Sequence, residues 1–136
     1  MMGEAKRLEH YPIHLGKGAV AVPQPEFPRD DRAMQWYADY GARHADDGGE
    51  GRLVSFFHFV ESWSVWEMHP LGDEVVVCTE GSLTLIQEIE GQEVRTTLTP
   101  GEYAINPAGV WHTADVSGTA AALFITAGEG TQGRPR

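Results

Sequence analysis

The chain has 136 residues, a formal net charge of −10 and a hydrophobic fraction of 41%. This length fits a single domain that can bury a hydrophobic core without disulfide bonds to hold it. The acidic balance argues against a surface for nucleic acid or for anionic membranes, because both need basic patches. No stretch of the sequence approaches the run of apolar residues that a membrane-spanning helix requires.

The cysteine content and the first residues bear on the compartment of the protein. Cys78 is the single cysteine, so no internal disulfide bond can form. Residues 1–16 contain no apolar run that resembles a signal peptide. We therefore expect a protein of the reducing cytoplasm.

The first part of the chain is predicted to form an extended arm. Prolines and glycines are frequent in residues 1–28, and a short strand is predicted at 19–22. His10 and His14 lie in this arm, and histidines in such a segment are expected to face water.

A single helix is predicted over residues 30–45, with Asp30 as its N-cap. Its aromatic residues recur at helical spacing and form one stripe. The stripe favours a helix packed on the outside of a sheet, and the alternative is an aromatic lid over a pocket. The stripe consists of Ala33, Trp36, Tyr37, Tyr40 and His44.

After a glycine-rich loop the pattern changes to a series of short strands. Glycine and proline turns separate these strands, and no helical pattern interrupts them. Such a series is typical of a β-sandwich or a small barrel. The strands are predicted at 53–60, 62–69, 74–80, 82–89, 94–98, 102–105, 112–116 and 120–126.

The stretch 66–81 carries side chains that can bind a metal. Glu67 and His69 are two residues apart, so they project from the same face of a strand. After a Pro–Gly turn, Glu74 shares a face with Cys78 on the next strand. A hairpin-like fold would bring Glu74 opposite Glu67 and His69. Three metal-capable side chains would then converge inside an apolar sheet.

A second informative stretch runs from Gly101 to His112. Gly101 and Gly109 allow tight corners, and Pro107 fixes one of them. His112 follows the turn and begins a strand. Taken alone, the stretch is a strand, a turn and a strand with a histidine.

Together the two stretches resemble the two sequence motifs of the cupin superfamily. Residues at the correct spacing occupy the first cupin motif from its first histidine position onward, with Glu67 in place of that histidine, and the second motif is matched at all but its last position. The spacing of nineteen residues between Gly81 and Gly101 suits the hairpin that separates the two motifs. The matching residues are Glu67, His69, Glu74 and Gly81, then Gly101, Pro107, Gly109 and His112.

The sequence departs from the cupin pattern at three positions. Glu61 replaces the opening glycine of the first motif, and Val116 replaces the closing asparagine of the second. Glu67 replaces the first histidine of the first motif. The first two changes do not weaken the expectation of a barrel, whereas the change at Glu67 bears directly on the metal.

The cupin resemblance implies a divalent metal held by histidines and a glutamate. Carried over by position, the ligands are His69, Glu74 and His112, with Glu67 at the fourth position. Imidazole with carboxylate suits Fe, Mn, Ni or Zn, and the extra carboxylate shifts the expectation toward Mn or Fe. Glu67 is also a candidate catalytic general base above the metal. The alternative is a metal-free barrel in which Glu67 and His69 form a buried hydrogen-bonded pair.

Tryptophans near these stretches have two interpretations. Trp63 and Trp111 either line the pocket or pack in the core. Trp66 and Met68 are expected to face away from Glu67, where they would contact the helix or a second subunit.

We therefore expect an all-β protein, a cupin jelly-roll β-barrel over 52–127. An N-terminal arm and one helix over 1–51 would pack on the barrel, and 128–136 would be a flexible tail. The expected function is a metal-dependent enzyme of the oxygenase, isomerase or lyase type, acting on a small organic molecule in the barrel cavity. The alternative is a non-catalytic small-molecule-binding cupin without a metal. We expect a homodimer, with neither nucleic acid nor membrane as partner.

Overall fold

The computed structural model describes residues 3–136, which form mainly antiparallel β-strands. One α-helix, α1 (Ala33–Arg43), and a 3-10 helix at Ala45–Glu50 lie between the second and third strands. Within this part of the chain, no helix has both the length and the apolar character needed to cross a membrane. The strands are β1 (Ile13–Gly16), β2 (Val20–Pro23), β3 (Arg52–Phe59), β4 (Val65–Met68), β5 (Glu74–Ile89), β6 (Gln92–Leu98), β7 (Tyr103–Asn106), β8 (His112–Thr126) and β9 (Gln132–Pro135).

Two long strands, β5 and β8, organise the sheet. One path of neighbouring strands runs β2-β1-β3-β8-β4-β9, and β5 pairs with β6, β7 and β8 away from this path. The C-terminal half of β8 pairs with β3 on one side and with β5 on the other. Several predicted short strands are therefore halves of β5 or β8. The prediction of an all-β fold with one helix is confirmed.

The core lies on the face of β5 that begins with Glu74. Glu74, Val76 and Cys78 are all buried, as expected for alternate residues of one strand face. Farther along the same strand, Leu83 and Leu85 continue the buried face. A carboxylate therefore stands at one end of an apolar row, and the burial of that row fixes where the carboxylate points.

Two glycines of the matched motifs are required by the backbone. Gly81 has a φ of +66°, and a Cβ atom there would lie 2.0 Å from the carbonyl oxygen of Thr119. Gly109 has a φ of +80°, and its N–H donates to the carbonyl oxygen of His69 at 2.9 Å. This hydrogen bond joins the turns that carry the two motifs.

The N-terminal arm is more ordered than its composition predicted. The strand expected at 19–22 belongs to a hairpin of β1 and β2, and β1 also pairs with β3. His14 lies on β1 and is only 1% exposed, so the prediction of a water-facing histidine is wrong there. The reason is tertiary, because side chains from α1 and the 3-10 helix cover it.

The helix begins later than its capping pattern predicted. Arg32 occupies the N-cap position of α1 and provides no side-chain hydrogen bond to it. The Asp30 carboxylate instead accepts the N–H of Arg32 at 3.0 Å, in the turn that precedes the helix.

The segment predicted as a flexible tail contains β9, which pairs with β4. The Arg134 guanidinium lies over the rings of Trp66 and Trp111, at 5.2 and 4.5 Å from their centroids. Arg136 donates to the carbonyl oxygens of Trp63 and Ala114 at 3.0 and 3.2 Å. The glycine-rich composition conceals this strand, because its partner β4 lies more than sixty residues earlier in the sequence.

Candidate metal centre

The residues of the two motifs converge, but not through the expected hairpin. Glu67 lies on β4 and pairs across the sheet with His112, the first residue of β8. His69 directly follows β4, and Glu74 begins β5, where it pairs with Asn106 of β7. β4 and β5 are not paired with each other. The turn after His69 instead redirects the chain, and β8 brings the two motifs together.

The imidazoles of both motifs face the same carboxylate. The Nε2 atom of His69 lies 3.2 Å from Oε2 of Glu74. The Nε2 atom of His112 lies 3.3 Å from Oε1 of the same residue. Glu67, His69 and His112 each offer one ligand atom, and these atoms lie within 4.8 Å of one another. The structure therefore brings together all four residues that the sequence singled out.

The hydrogen bonds of His69 define which ring nitrogen carries its proton. Its Nδ1 atom lies 2.7 Å from the hydroxyl oxygen of Thr131. That hydroxyl donates its hydrogen to the carbonyl oxygen of Gly128 at 2.7 Å. The hydroxyl must therefore accept from Nδ1–H of His69, which leaves a lone pair on Nε2 of the neutral ring.

His112 has the same arrangement. Its Nδ1 atom lies 3.4 Å from the carbonyl oxygen of Val110, which can only accept a hydrogen bond. Its Nε2 atom, like that of His69, is buried and has no hydrogen-bond partner among residues 3–136. Two lone pairs therefore face one buried carboxylate, an arrangement that is unfavourable unless a proton or a cation lies between them.

The Glu74 carboxylate is held by side chains that the sequence reasoning missed. Asn106 donates to its Oε1 atom at 3.0 Å, and Thr126 donates to its Oε2 atom at 2.5 Å. Gln87 in turn donates to the side-chain oxygen of Asn106 at 2.8 Å. Asn106 precedes Pro107 of the second motif, and this proximity could have pointed to it. Thr126 and Thr131 carry no such signal in the sequence.

Burial and charge shift the pKa values of the ionisable groups at this site. Burial alone would raise the pKa of Glu74, but the contacts with His112 and His69 outweigh it and lower the pKa well below its usual range. Burial raises the pKa of Glu67, and the charge of Glu74 adds to this rise. Burial alone would lower the pKa of His69, yet contact with Glu74 raises it overall. One carboxylate stays charged while its neighbour retains a proton more readily.

The donor atoms fit a divalent transition metal. Two ligand atoms that each lie about 2.1 Å from a shared ion are about 3.0 to 3.4 Å apart. The separations of 3.2 and 3.3 Å between the imidazoles and Glu74 fall in that interval. Imidazole with carboxylate suits Fe, Mn, Ni or Zn. Glu67 forms a cluster with His69 and His112 in which the ligand atoms lie within 4.8 Å of one another, which is compatible both with a fourth ligand and with a general base beside the ion.

A second cluster with ligand-type residues lies outside the barrel. It contains His14, His44 and Asp47, whose ligand atoms also lie within 4.8 Å of one another. Nε2 of His14 donates to the Asp47 carboxylate at 2.6 Å, and Nδ1 accepts from the hydroxyl of Tyr40 at 2.6 Å. The rings of His14 and His44 stack at 3.7 Å. The Nε2 atom of His44 is 3.0 Å from the side-chain amide nitrogen of Gln24. These hydrogen bonds already use the atoms that a metal would need.

Helix α1 presents Tyr37 toward the barrel site. Its ring makes an edge contact with Phe27, and Phe27 in turn contacts Phe57 of β3. Burial raises the pKa of the Tyr37 hydroxyl, and the charges of Glu67 and Glu74 raise it further. The residue nevertheless keeps 39% of its surface exposed. The charges of Glu67 and Glu74 act on this hydroxyl, so Tyr37 lies near the barrel site while part of its surface meets water.

Several solved structures are similar to this chain. An oxalate oxidase superposes with a TM-score of 0.55 at 16% identity, over 67% of this chain and 50% of that chain. A hydroquinone 1,2-dioxygenase, solved with Cd²⁺ and 4-hydroxybenzonitrile, gives a TM-score of 0.50 at 15% identity, over 55% of this chain and 56% of that chain. A cupin superfamily protein from Desulfitobacterium hafniense gives a TM-score of 0.48 at 24% identity, over 55% of this chain and 65% of that chain. The chain thus spans less than two thirds of the length of each of these proteins.

At the level of sequence, no curated protein matches the chain. A family model described as the cupin domain matches residues 60–128, which is just over half of the 136 residues. The match includes both motifs and the four residues that converge in the barrel. The chain therefore belongs to the cupin family.

Proposed function

We propose that the protein is a metal-dependent enzyme in which His69, Glu74 and His112 hold one divalent metal ion. Glu67 would act as a fourth ligand or as a general base beside it. The reaction would be of the oxygenase, isomerase or lyase type on a small organic molecule. The observation that carries this proposal is the pair of buried, unpaired Nε2 atoms that face the carboxylate of Glu74.

Two features favour a metal over a purely hydrogen-bonded cluster. Both Nδ1 atoms are already donors, so the ring nitrogens that face Glu74 are the ones with lone pairs. Orienting a ligand histidine through a hydrogen bond at its other nitrogen is the usual arrangement at metal sites. Glu74 is likewise fixed by two donors, Asn106 and Thr126. Side chains that only fill a hydrophobic core do not need polar atoms that are oriented in this way.

The residues of the chain suggest how the site would work. A bound divalent metal would polarise a substrate oxygen or activate one ligand at its open positions. Glu74 would stay ionised and balance charge, because its pKa is lowered. Glu67 would take up or release a proton at its carboxyl group, since burial raises its pKa toward the working range of a general base. Tyr37 would limit the access of water from the side of α1.

The test is elemental analysis of tag-free protein that has been purified without chelator. We expect about one equivalent of Fe, Mn, Ni or Zn per chain. His69→Ala and His112→Ala should each reduce the metal content to less than a tenth, because each removes a ligand. His58→Ala is the matched control, since the His58 side chain is 51% exposed and pairs with Glu9 outside the site. Glu67→Ala separates the two roles of Glu67, because unchanged metal content with lost turnover would identify a general base.

Elemental analysis that finds no bound metal would contradict this proposal. If wild-type protein binds none of the four metals even after loading, the alternative becomes the working description, namely a non-catalytic barrel that binds a small molecule. Equal metal content in wild type, His69→Ala and His112→Ala would also contradict it, because the metal would then lie elsewhere. The hydroquinone 1,2-dioxygenase that was solved with Cd²⁺ supports only that this fold can accommodate a metal ion.

We also propose that the protein forms a homodimer in the cytoplasm. Exposed apolar side chains on β4 and β7 support an interface between two copies, namely Val65, Tyr103 and Ile105. Light scattering after gel filtration would measure the mass, and a mass of one chain, 14.9 kDa, would contradict the dimer.

A further inference from the structure

Three buried polar side-chain atoms have no hydrogen-bond partner in the part of the chain that the structure describes. They are Nε2 of His69, Nε2 of His112 and Nε1 of Trp63. A metal would satisfy the two histidines. It cannot satisfy Trp63, because an indole nitrogen only donates a hydrogen bond and offers no lone pair. The Trp63 N–H therefore needs an acceptor of its own.

Trp63 lies beside the candidate metal centre. Its ring centroid is 6.2 Å from that of His112. Its backbone is fixed, because its N–H donates to the carbonyl oxygen of Ala114 at 2.9 Å and its carbonyl oxygen accepts from Arg136 at 3.0 Å. The backbone hydrogen bonds fix the point from which the indole extends, next to a candidate ligand histidine. A buried N–H in such a position is unfavourable unless it meets an acceptor.

Aromatic rings surround Trp63 on the core side. We call Phe57, Phe59 and Phe124 the aromatic wall. The ring of Trp63 lies 5.7 Å from Phe59 and 6.0 Å from Phe124, and Phe57 lies 5.9 Å from Phe124. Phe57, Phe59 and Trp63 are only partly buried, whereas Phe124 belongs to the buried core. Phe59, which contacts the ring of Trp63, therefore leaves part of its apolar surface exposed.

The described residues supply no acceptor for the Trp63 N–H, so water fills this role in the free protein and a bound ligand can take its place. Aromatic side chains pack best against other flat rings, in edge-to-face or offset arrangements. A site with few, well-placed polar groups on an apolar lining is typical for a small-molecule ligand. Acidic residues stand nearby, so a neutral oxygen such as a ketone or a phenol fits better than a second carboxylate.

We propose that Trp63 is a specificity-determining residue, whose N–H binds the acceptor oxygen of a flat aromatic substrate packed on the aromatic wall. The role of this contact in an enzymatic reaction rests on the proposed function. The binding contact itself depends only on side chains of this chain. It can therefore be tested in metal-free as well as in zinc-loaded protein.

The experiment uses acetophenone, a neutral aromatic ketone, as the probe. Acetophenone is titrated into ¹⁵N-labelled wild-type protein while the indole N–H resonances of its four tryptophans are followed. We expect the Trp63 resonance to move downfield and to saturate, because its N–H gains an acceptor. Trp63→Phe assigns that resonance and should weaken binding about 5- to 10-fold, the effect of one neutral hydrogen bond.

Two controls separate the parts of the inference. Trp111→Phe removes an indole that stacks on Arg134 and should leave the affinity unchanged. Cyclohexyl methyl ketone keeps the carbonyl group but lacks the flat ring, so it should bind more weakly than acetophenone. If Trp63→Phe does not fold, the resonance is assigned by elimination with the phenylalanine variants of Trp36, Trp66 and Trp111.

The outcomes are distinguishable from those of the metal test. No saturable shift of the Trp63 resonance in either form of the protein would overturn the inference, whatever the metal content. Equal affinity for the two ketones would overturn the aromatic preference. A clear shift in protein that binds no metal would uphold Trp63 as a recognition residue while the proposed enzyme fails.

Discussion

Two histidine clusters in this protein satisfy the same distance criterion for metal ligands and differ in their hydrogen bonds. In the barrel, Nε2 of His69 and Nε2 of His112 are buried and unpaired. In the outer cluster, both ring nitrogens of His14 are hydrogen-bonded at 2.6 Å, one to Tyr40 and one to Asp47. Proximity of ligand-type residues is therefore a weak criterion for a metal site. What distinguishes the barrel cluster is that its lone pairs are oriented and left free.

The two clusters also differ in what they do for the fold. The outer cluster joins β1, α1 and the 3-10 helix through His14, Tyr40 and Asp47, so its hydrogen bonds fix the helix on the N-terminal arm. Burial raises the pKa of Tyr40 to about 12, with a further rise from the charge of Asp47, so the hydroxyl stays a donor to His14. The outer cluster is thus a structural contact, whereas the barrel cluster is the proposed binding site.

The largest expected effect is on stability when the buried carboxylate of the barrel is removed. Glu74→Ala would leave the buried donors Asn106 and Thr126 without their acceptor, and it would remove the negative charge that raises the pKa of His69. We expect the free energy of unfolding of metal-free protein to fall by about 3 to 5 kcal/mol. Denaturant titration measures it, and Asp47→Ala is the comparison, because that carboxylate is partly exposed. An equal or smaller loss for Glu74→Ala than for Asp47→Ala would contradict the distinction between the clusters.

A smaller effect is expected when the orienting partner of His69 is removed. Thr131→Val deletes the hydroxyl that accepts from Nδ1 of His69, so the ring can rotate or change tautomer. We expect metal affinity to fall about 10- to 100-fold, the usual effect of losing a contact that orients a ligand. Competition with a chromogenic chelator measures the affinity. Thr84→Val is the matched control, since its hydroxyl bonds only to Thr97 on the surface; an unchanged affinity in Thr131→Val would refute the tautomer assignment.

The smallest expected effect is a pH dependence that belongs to the outer cluster. The hydrogen bond from His14 lowers the pKa of Asp47 from its ordinary value of 3.8. A lowered pKa means that the folded chain binds the proton less readily than the unfolded chain, so this stabilisation is present above pH 3.8 and is lost below it. The melting temperature of wild type should exceed that of Asp47→Asn near neutral pH.

This difference should shrink as the pH falls from about 5 to about 2, because Asp47 becomes protonated in that interval. Thermal melts of both proteins across that interval measure it. The metal content of Asp47→Asn should equal that of wild type. A difference that grows with acidity, or a loss of metal in this variant, would show that the two clusters had been assigned the wrong roles.

The sequence determined the family and singled out the residues of the candidate site. The spacing of glycines and prolines fixes the corners of the barrel, since positions such as Gly81 admit no side chain. Alternation along a strand fixes that Glu74 points inward with Val76 and Cys78. These are local properties of the chain, so they can be read without knowing which strands are neighbours.

Tertiary structure decided how the site is assembled and completed. Glu67 meets His112 because β4 pairs with β8, and Glu74 joins them without the hairpin that the sequence predicted. β9 pairs with β4 although its composition resembles a tail. The tautomer of His69 depends on Thr131, sixty-two residues away in the sequence. The burial of His14 depends on a helix that the pattern of β1 does not reveal. Strand pairing and hydrogen-bond partners over such separations depend on the whole packed chain, so no local pattern in the sequence could specify them.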